Sequence, residues 1–366
     1  MRSAAPNTVA RESADVREPL GTCNAGLNNR RRSAYTLRAT RMNSTTTLGR
    51  FILFLFAIVT GSLLLVPAPA FAEKLAVSPG ATAILEEIYS FDLEAAIADA
   101  RQLEEQRSDH PLGYLLEAEA HWWEIWCLAA DYRYGMTTAQ HRANKLPTDE
   151  RYIELSARAL SIAQAHLKGQ ETAEMQLYAG MAEASLARLY GLRNETRATA
   201  RAGVRGREHL LRALQLNPEL ADADFGLGLY NYYVDTLSSF VKFLSFFMGI
   251  PGGNKHEGIQ QLQHAMGDGV LTRVAARFYL AIDLHKYDQQ YEQALAIIGP
   301  LVEKYPSNPL FQLARGDLYG KLARKEQAVA GYRAALAINV KDERCRAHLR
   351  ELALASLAAQ GWIEPH

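Results

Sequence analysis

Cysteine is scarce in this chain: three residues among 366, too few for a disulfide scaffold of this size. Net charge is missing as well, with 40 basic side chains against 40 acidic ones. Nucleic-acid binders carry a basic excess, so no nucleic-acid partner is expected. No P-loop, dinucleotide fingerprint or nucleophile elbow falls in a strand–turn–helix context. The chain is therefore read as a non-enzyme without a cofactor. Pro251-Gly252-Gly253-Asn254 is a turn, not a phosphate cradle. Runs of β-branched residues are few. What is present is 48% hydrophobic and 22% charged, a balance that excludes a disordered chain.

The neutral balance conceals two unequal parts. Residues 1–72 hold nine Arg and three acidic residues, a net +6, which leaves −6 on the other 294. Residues 1–41 are a polar leader without a periodic apolar face. A signal of ordinary length starts at Met42, which makes residues 1–41 an upstream extension that translation from Met42 omits. Arg50 then precedes Phe51–Val66, sixteen residues without a charge. Ala70 and Ala72 follow, small residues at a small-x-small site. A basic flank, a short apolar run and that site predict a signal peptide over 42–72, cleaved after Ala72. The expected location is the periplasm or the exterior. The alternative is an uncleaved inner-membrane anchor, although sixteen residues fall short of the ~20 that a spanning helix needs. Any membrane contact is expected only through that uncleaved signal.

From Ala81 onward the sequence is rich in Ala, Leu and Glu, and apolar residues recur at three and four. Breaks fall at Ser108–Pro111, Lys145–Asp149, Leu216–Pro218, Pro251–Asn254 and Tyr305–Pro309. Each break supplies a proline or a capping Ser, Asn or Asp. The prediction is an all-α protein. Internal repetition is also visible. Tyr291-Glu292-Gln293-Ala294-Leu295 aligns with Lys325-Glu326-Gln327-Ala328-Val329 at a spacing of 34. The last unit carries Gly316, Tyr319, Ala328, Tyr332 and Ala335, and the unit before it carries Phe278, Tyr291, Ala294 and Pro306 in the same register.

These residues and this period resemble the tetratricopeptide repeat (TPR) family, in an exported bacterial form. The match is specific over 275–340, moderate over 187–274 and weak over 80–186. Ile282 and His285 depart from it, standing where Gly316 and Tyr319 stand in the next unit. The resemblance implies a right-handed α-solenoid of about six helix pairs: divergent repeats over 73–215, TPR repeats over 216–340, and a capping helix with tail over 341–366. It also implies a concave groove lined by the first helix of each pair, where a segment of another protein binds. The matching positions are Phe225, Leu229, Tyr232 and Tyr233; then Ala276, Tyr279, Asp283 and Lys286; then Leu310, Leu313, Asp317 and Lys321. Asp283 and Asp317 stand where some relatives carry Asn, and two carboxylates repel an anionic peptide terminus. The implied function is an interaction scaffold of the cell envelope.

Residues 235–254 interrupt the third repeat unit. Phe240, Phe243, Leu244 and Phe247 share one helical face there, and the segment reads either as packed padding or as a docking helix. Glu117, His121 and Glu124 share another face, but without a second such helix no metal site is expected. Trp122, Trp123 and Trp126 beside them read as core. A glycan- or peptidoglycan-binding face is the alternative. Cys127 and Cys345 lie near opposite ends of the expected array and read as two separate buried thiols.

Overall fold

The computed structural model describes residues 74–140, 144–237 and 250–362. They belong to one unit, within 70–366. The leader, the signal segment and the insertion residues Phe240, Phe243, Leu244 and Phe247 lie outside the described residues.

Thirteen helices and one β-hairpin make up the described part. They are α1 (Pro79–Ser90), α2 (Leu93–Gln106), α3 (Pro111–Ala129), β1 (Ala130–Arg133), β2 (Met136–Ala139), α4 (Pro147–Gly169), α5 (Ala173–Leu192), α6 (Thr196–Leu216), α7 (Asp222–Thr236), α8 (Lys255–Asp268), α9 (Arg273–Lys286), α10 (Tyr291–Lys304), α11 (Pro309–Lys321), α12 (Lys325–Ala337) and α13 (Glu343–Ala359). The described residues are all-α apart from that hairpin, and each helix packs chiefly on its neighbours in sequence.

The helix starts follow from the local sequence. Ser78 Oγ accepts the Ala81 N–H at 3.2 Å, and Pro79 occupies the first position of α1. Asn308 Oδ1 takes the N–H groups of Leu310 and Phe311 ahead of α11, which also opens on proline. Asp342 caps α13 through the Cys345 N–H at 2.7 Å. Each cap satisfies an otherwise orphaned donor and contributes about 1 kcal/mol.

Two glycine pairs set how closely neighbouring helices approach. A Cβ on Gly228 would lie 2.9 Å from the Gly258 carbonyl oxygen, where α7 crosses α8. A Cβ on Gly180 would lie 2.6 Å from the Leu210 side chain and 3.2 Å from the Gly206 oxygen, where α5 crosses α6. The second pair lies upstream of the region with a clear 34-residue period.

The core is organised around α3, which is buried on nearly all sides. The Trp123 ring meets Tyr89 of α1 at 5.8 Å, Phe278 of α9 at 5.1 Å and Phe311 of α11 at 5.6 Å. The first helices thus pack on the last ones. Asn308 donates to the Tyr89 carbonyl, Ser307 to the Ser90 carbonyl, and Lys304 pairs with Glu86. This arrangement corrects the reading of the cysteines. Cys127 at the end of α3 and Cys345 at the start of α13 form a disulfide across 218 residues, with their Cα atoms 5.9 Å apart. Ends that are distant in sequence are neighbours in space.

The hairpin is the second departure from the sequence expectation, which has residues 111–215 helical. Ala130 pairs with Ala139 and Arg133 with Met136, leaving Tyr134 and Gly135 as a two-residue loop. Both have positive φ, 54° and 71°, as a tight type I′ hairpin turn requires. No helix among the described residues is long and apolar enough to cross a membrane.

Candidate functional site

Three helices carry the residues singled out as groove positions: α7, α9 and α11. Periodicity brings Tyr279, Asp283 and Lys286 to one face of α9, and Leu313, Asp317 and Lys321 to one face of α11. The surroundings of these two faces differ.

On α11 the chain covers its own face. Asp317 is 1% exposed, and both its oxygens are engaged. Oδ1 accepts the Tyr332 hydroxyl at 2.9 Å, and Oδ2 accepts the backbone N–H of Thr137, from β2, at 2.6 Å. Lys321 Nζ donates to the Tyr134 carbonyl at the hairpin tip. Leu313 is fully buried. Burial pushes the Asp317 carboxyl up to about 7, against the Thr137 and Tyr332 donors that hold it down. Asp317 and Lys321, expected to meet a partner here, meet the hairpin instead.

On α7 and α9 the same row is aromatic and partly exposed. Phe225 lies 5.8 Å from the Tyr279 ring, and the Tyr279 hydroxyl accepts the Trp122 indole N–H at 2.9 Å. Tyr233 donates to Asp283 Oδ1 at 3.0 Å. Tyr232 is buried and donates to Asp288 Oδ2 and to the Asp283 carbonyl. Lys255 pairs with Asp288 and lies over the Tyr232 ring. Lys286 is exposed, 5.1 Å above the Tyr287 ring. Tyr287 is 43% exposed and meets Tyr232 and Tyr233 at 6.0 and 6.3 Å.

Asp283 is 1% exposed, yet its Oδ2 has no hydrogen-bond partner among the described residues. Burial pushes this carboxyl up to about 8, while the Tyr233 hydroxyl and the nearby Lys286 hold it down. Two residues on, His285 is buried edge-on to Tyr291, with Nε2 unpartnered among the described residues. Burial, then the Lys321 charge, pushes it down to about 4.

Thr137, Tyr134, Tyr287 and Lys255 were not among the residues expected on these faces. A signal for the hairpin existed in Tyr134-Gly135, a turn-prone pair between short Tyr- and Thr-bearing runs. Tyr287, just after α9, stands 34 residues before Lys321 and could have been found from the repeat spacing, whereas Lys255 opens α8 outside that register.

The other constellations are internal. Trp122, Trp123 and Trp126 are buried, and the Trp122 and Trp123 indole N–H groups bond Tyr279 and Glu119. Arg188 stacks 4.2 Å over the Trp122 ring and pairs with Glu119 at 2.6 Å. A sugar therefore finds no open indole face here. Glu117 is held by Arg101 and Arg151, and His121 lies between Glu117 and Glu124. Burial pushes Glu117 up, but the His121 and Arg151 hydrogen bonds outweigh it and hold the carboxyl well below the usual range. Burial beside Glu117 raises Glu104 to about 8. Among the described residues no three His, Cys, Asp or Glu side chains are grouped to hold a metal ion. Set against protein-family profiles and curated proteins, the chain matches none.

Proposed function

We propose that this chain is a protein–protein interaction scaffold of the cell envelope: a right-handed α-solenoid of six TPR-like helix pairs closed by α13 as a cap. Helices stacked on their sequence neighbours fit that architecture. The observation that carries the functional reading is the row Phe225, Tyr233, Lys286 and Tyr287. It joins aromatic surface to a cation on the face whose counterpart on α11 is filled by the chain itself. Aromatic side chains with a charged neighbour are what partner segments use as anchors.

The signal-like segment supplies export, with cleavage after Ala72. The Cys127–Cys345 disulfide supports this, because such bonds persist in oxidising compartments. Fractionation of cells expressing a C-terminally tagged chain tests the reading. The expected result is a periplasmic protein starting at Glu73 that co-purifies with a defined envelope protein. Lys286→Glu is expected to abolish that co-purification without lowering the melting temperature, since exposed sites tolerate substitution. Retention of an uncleaved chain in the cytoplasm contradicts the location. Equal recovery of the partner by Lys286→Glu contradicts the surface.

A further inference from the structure

Three helix ends border a cavity that shares no residue with the faces of α7, α9 and α11. Thr172 caps α5 through the Met175 N–H, which sets Glu174 in the first turn of that helix and Tyr178 one turn on. His110 caps α3 with Nδ1, which accepts the Leu112 N–H at 3.3 Å. Arg107 follows the last residue of α2. The cavity has a volume of about 240 Å³, and its lining includes Val77, Leu103, Arg107, His110, Glu174 and Tyr178. That is below the ~300–1,000 Å³ of drug-sized sites and equals about eight groups of water's size, at ~30 Å³ each. One wall is tightly ordered. Tyr178 is fully buried and donates its hydroxyl to Glu174 Oε1 at 2.9 Å, and the His110 ring meets it edge-on at 5.4 Å. Because His110 Nδ1 is an acceptor, its proton is on Nε2, 3.7 Å from the same Glu174 oxygen. The His110 and Tyr178 hydrogen bonds outweigh burial and hold the Glu174 carboxyl below its usual range, with help from the charges of His110 and Arg107. Glu174 is therefore an anion, and its Oε2 makes no hydrogen bond among the described residues.

Arg107 supplies the opposite charge. Its guanidinium makes no hydrogen bond or ion pair among the described residues, although its charge reaches Glu174. Gly113 lines the same cavity in the first turn of α3, and its N–H has no acceptor among the described residues. An anion and a cation that line one cavity without closing on each other leave a place for a molecule that carries both charges. We propose that this cavity binds a small zwitterion, an α-amino acid with a short aliphatic side chain. Its ammonium group donates to Glu174 Oε2, and its carboxylate accepts from Arg107 and the Gly113 N–H. Its side chain lies against Val77, Leu103 and Leu112, the apolar part of the lining. Tyr178 and His110 are positioning residues: they hold Oε1 and leave Oε2 for the ligand. This site is separate from the partner surface on α7 and α9 and does not depend on it.

Titration calorimetry on the full chain tests the proposal, with L-valine as the probe. The expected result is saturable binding that weakens about tenfold or more with Glu174→Gln and with Arg107→Met, the size of a lost charge-assisted bond. Arg107 is exposed and the Glu174 side chain is 41% exposed, so both variants are expected to fold, as circular dichroism melts will show. Two smaller probes make the same cut without touching the protein. Isobutylamine is valine without its carboxylate, and isovalerate is valine without its ammonium group. Each is expected to bind about tenfold or more weakly than L-valine. Three results overturn the proposal: no saturable binding at millimolar L-valine, a half-ligand that binds as tightly as L-valine, or unchanged binding in either variant. None of these bears on whether Lys286→Glu abolishes co-purification, so the cavity and the partner surface fail separately.

Discussion

The faces of α9 and α11 carry an acidic residue at the same place in the register and treat it differently. Asp317 has two donors and a hairpin over it, whereas Asp283 has one donor and an exposed tyrosine beside it. Repetition in the sequence offers an acceptor at the same place on both helices, with a cation three residues on in α9 (Lys286) and four residues on in α11 (Lys321). The insertion of ten residues after α3 then fills one offer from within the chain. Equivalent positions in a repeat array are therefore not equivalent sites, because what lies over a face is decided by segments outside the repeat.

Both faces rest on α3, so the largest effect is expected from removing their common support. Trp123→Ala deletes the ring that touches Tyr89, Phe278 and Phe311. The expected cost is about 3–5 kcal/mol, read as a lowered midpoint in denaturant melts. A loss below about 1 kcal/mol would show that α3 is not the shared core.

The disulfide comes next. Cys345→Ser is expected to cost about 2–5 kcal/mol. The mark of the bond itself is a tryptic digest in which Cys127 and Cys345 peptides run joined until reduced. Separate peptides without reductant would return the two residues to buried thiols and loosen the link between α3 and α13.

A smaller effect separates the two faces directly. Thr137→Pro removes the N–H that Asp317 accepts, and about 1–3 kcal/mol of stability is expected to go with it. Co-purification of the partner through the α7–α9 face is expected to be unchanged. Equal loss of that co-purification would mean that the two faces are coupled.

The smallest effect is a pH slope. Both carboxyls titrate above the ordinary carboxylate value in the folded chain, Asp317 to about 7 and Asp283 to about 8. The folded state holds these protons more tightly than the unfolded state does. Their contribution is complete below about pH 4 and is lost as pH rises through 7 and 8. Asp283→Asn and Asp317→Asn are therefore expected to flatten the fall in melting temperature between about pH 4 and 8. His285 works in the opposite direction: its value of about 4 lies below that of a free histidine, so its contribution is lost as pH falls through that range. An unaltered slope in both Asn variants would mean that these groups are ionised throughout.

Much of the helical layout was legible in the sequence. Prolines at 79, 111, 147 and 309 stand at the first helical positions of α1, α3, α4 and α11, and Asn254 and Asn308 cap the helices that follow them. These are local effects, readable from a few neighbouring residues. The inward set of α13, with Cys345, Leu349, Leu352 and Leu357 buried, follows from 3.6-residue periodicity in the same way. The hairpin escaped because ten residues between long helices carry few strand signals besides Tyr134-Gly135. The disulfide escaped because 218 residues of intervening chain decide whether two thiols meet, and no local rule contains that distance. The register of Asp283 and Asp317 could be read from the 34-residue spacing. Which of the two is covered could not, since the cover is a tertiary event.

Site-directed photo-crosslinking in living cells tests the central contrast most directly. A benzoylphenylalanine is placed at position 286 in one strain and at position 321 in another. The account predicts an adduct with a second protein from position 286, and from position 321 only a crosslink within the chain, to the hairpin around Tyr134. Partner adducts of equal yield from both positions, or from 321 alone, would contradict it.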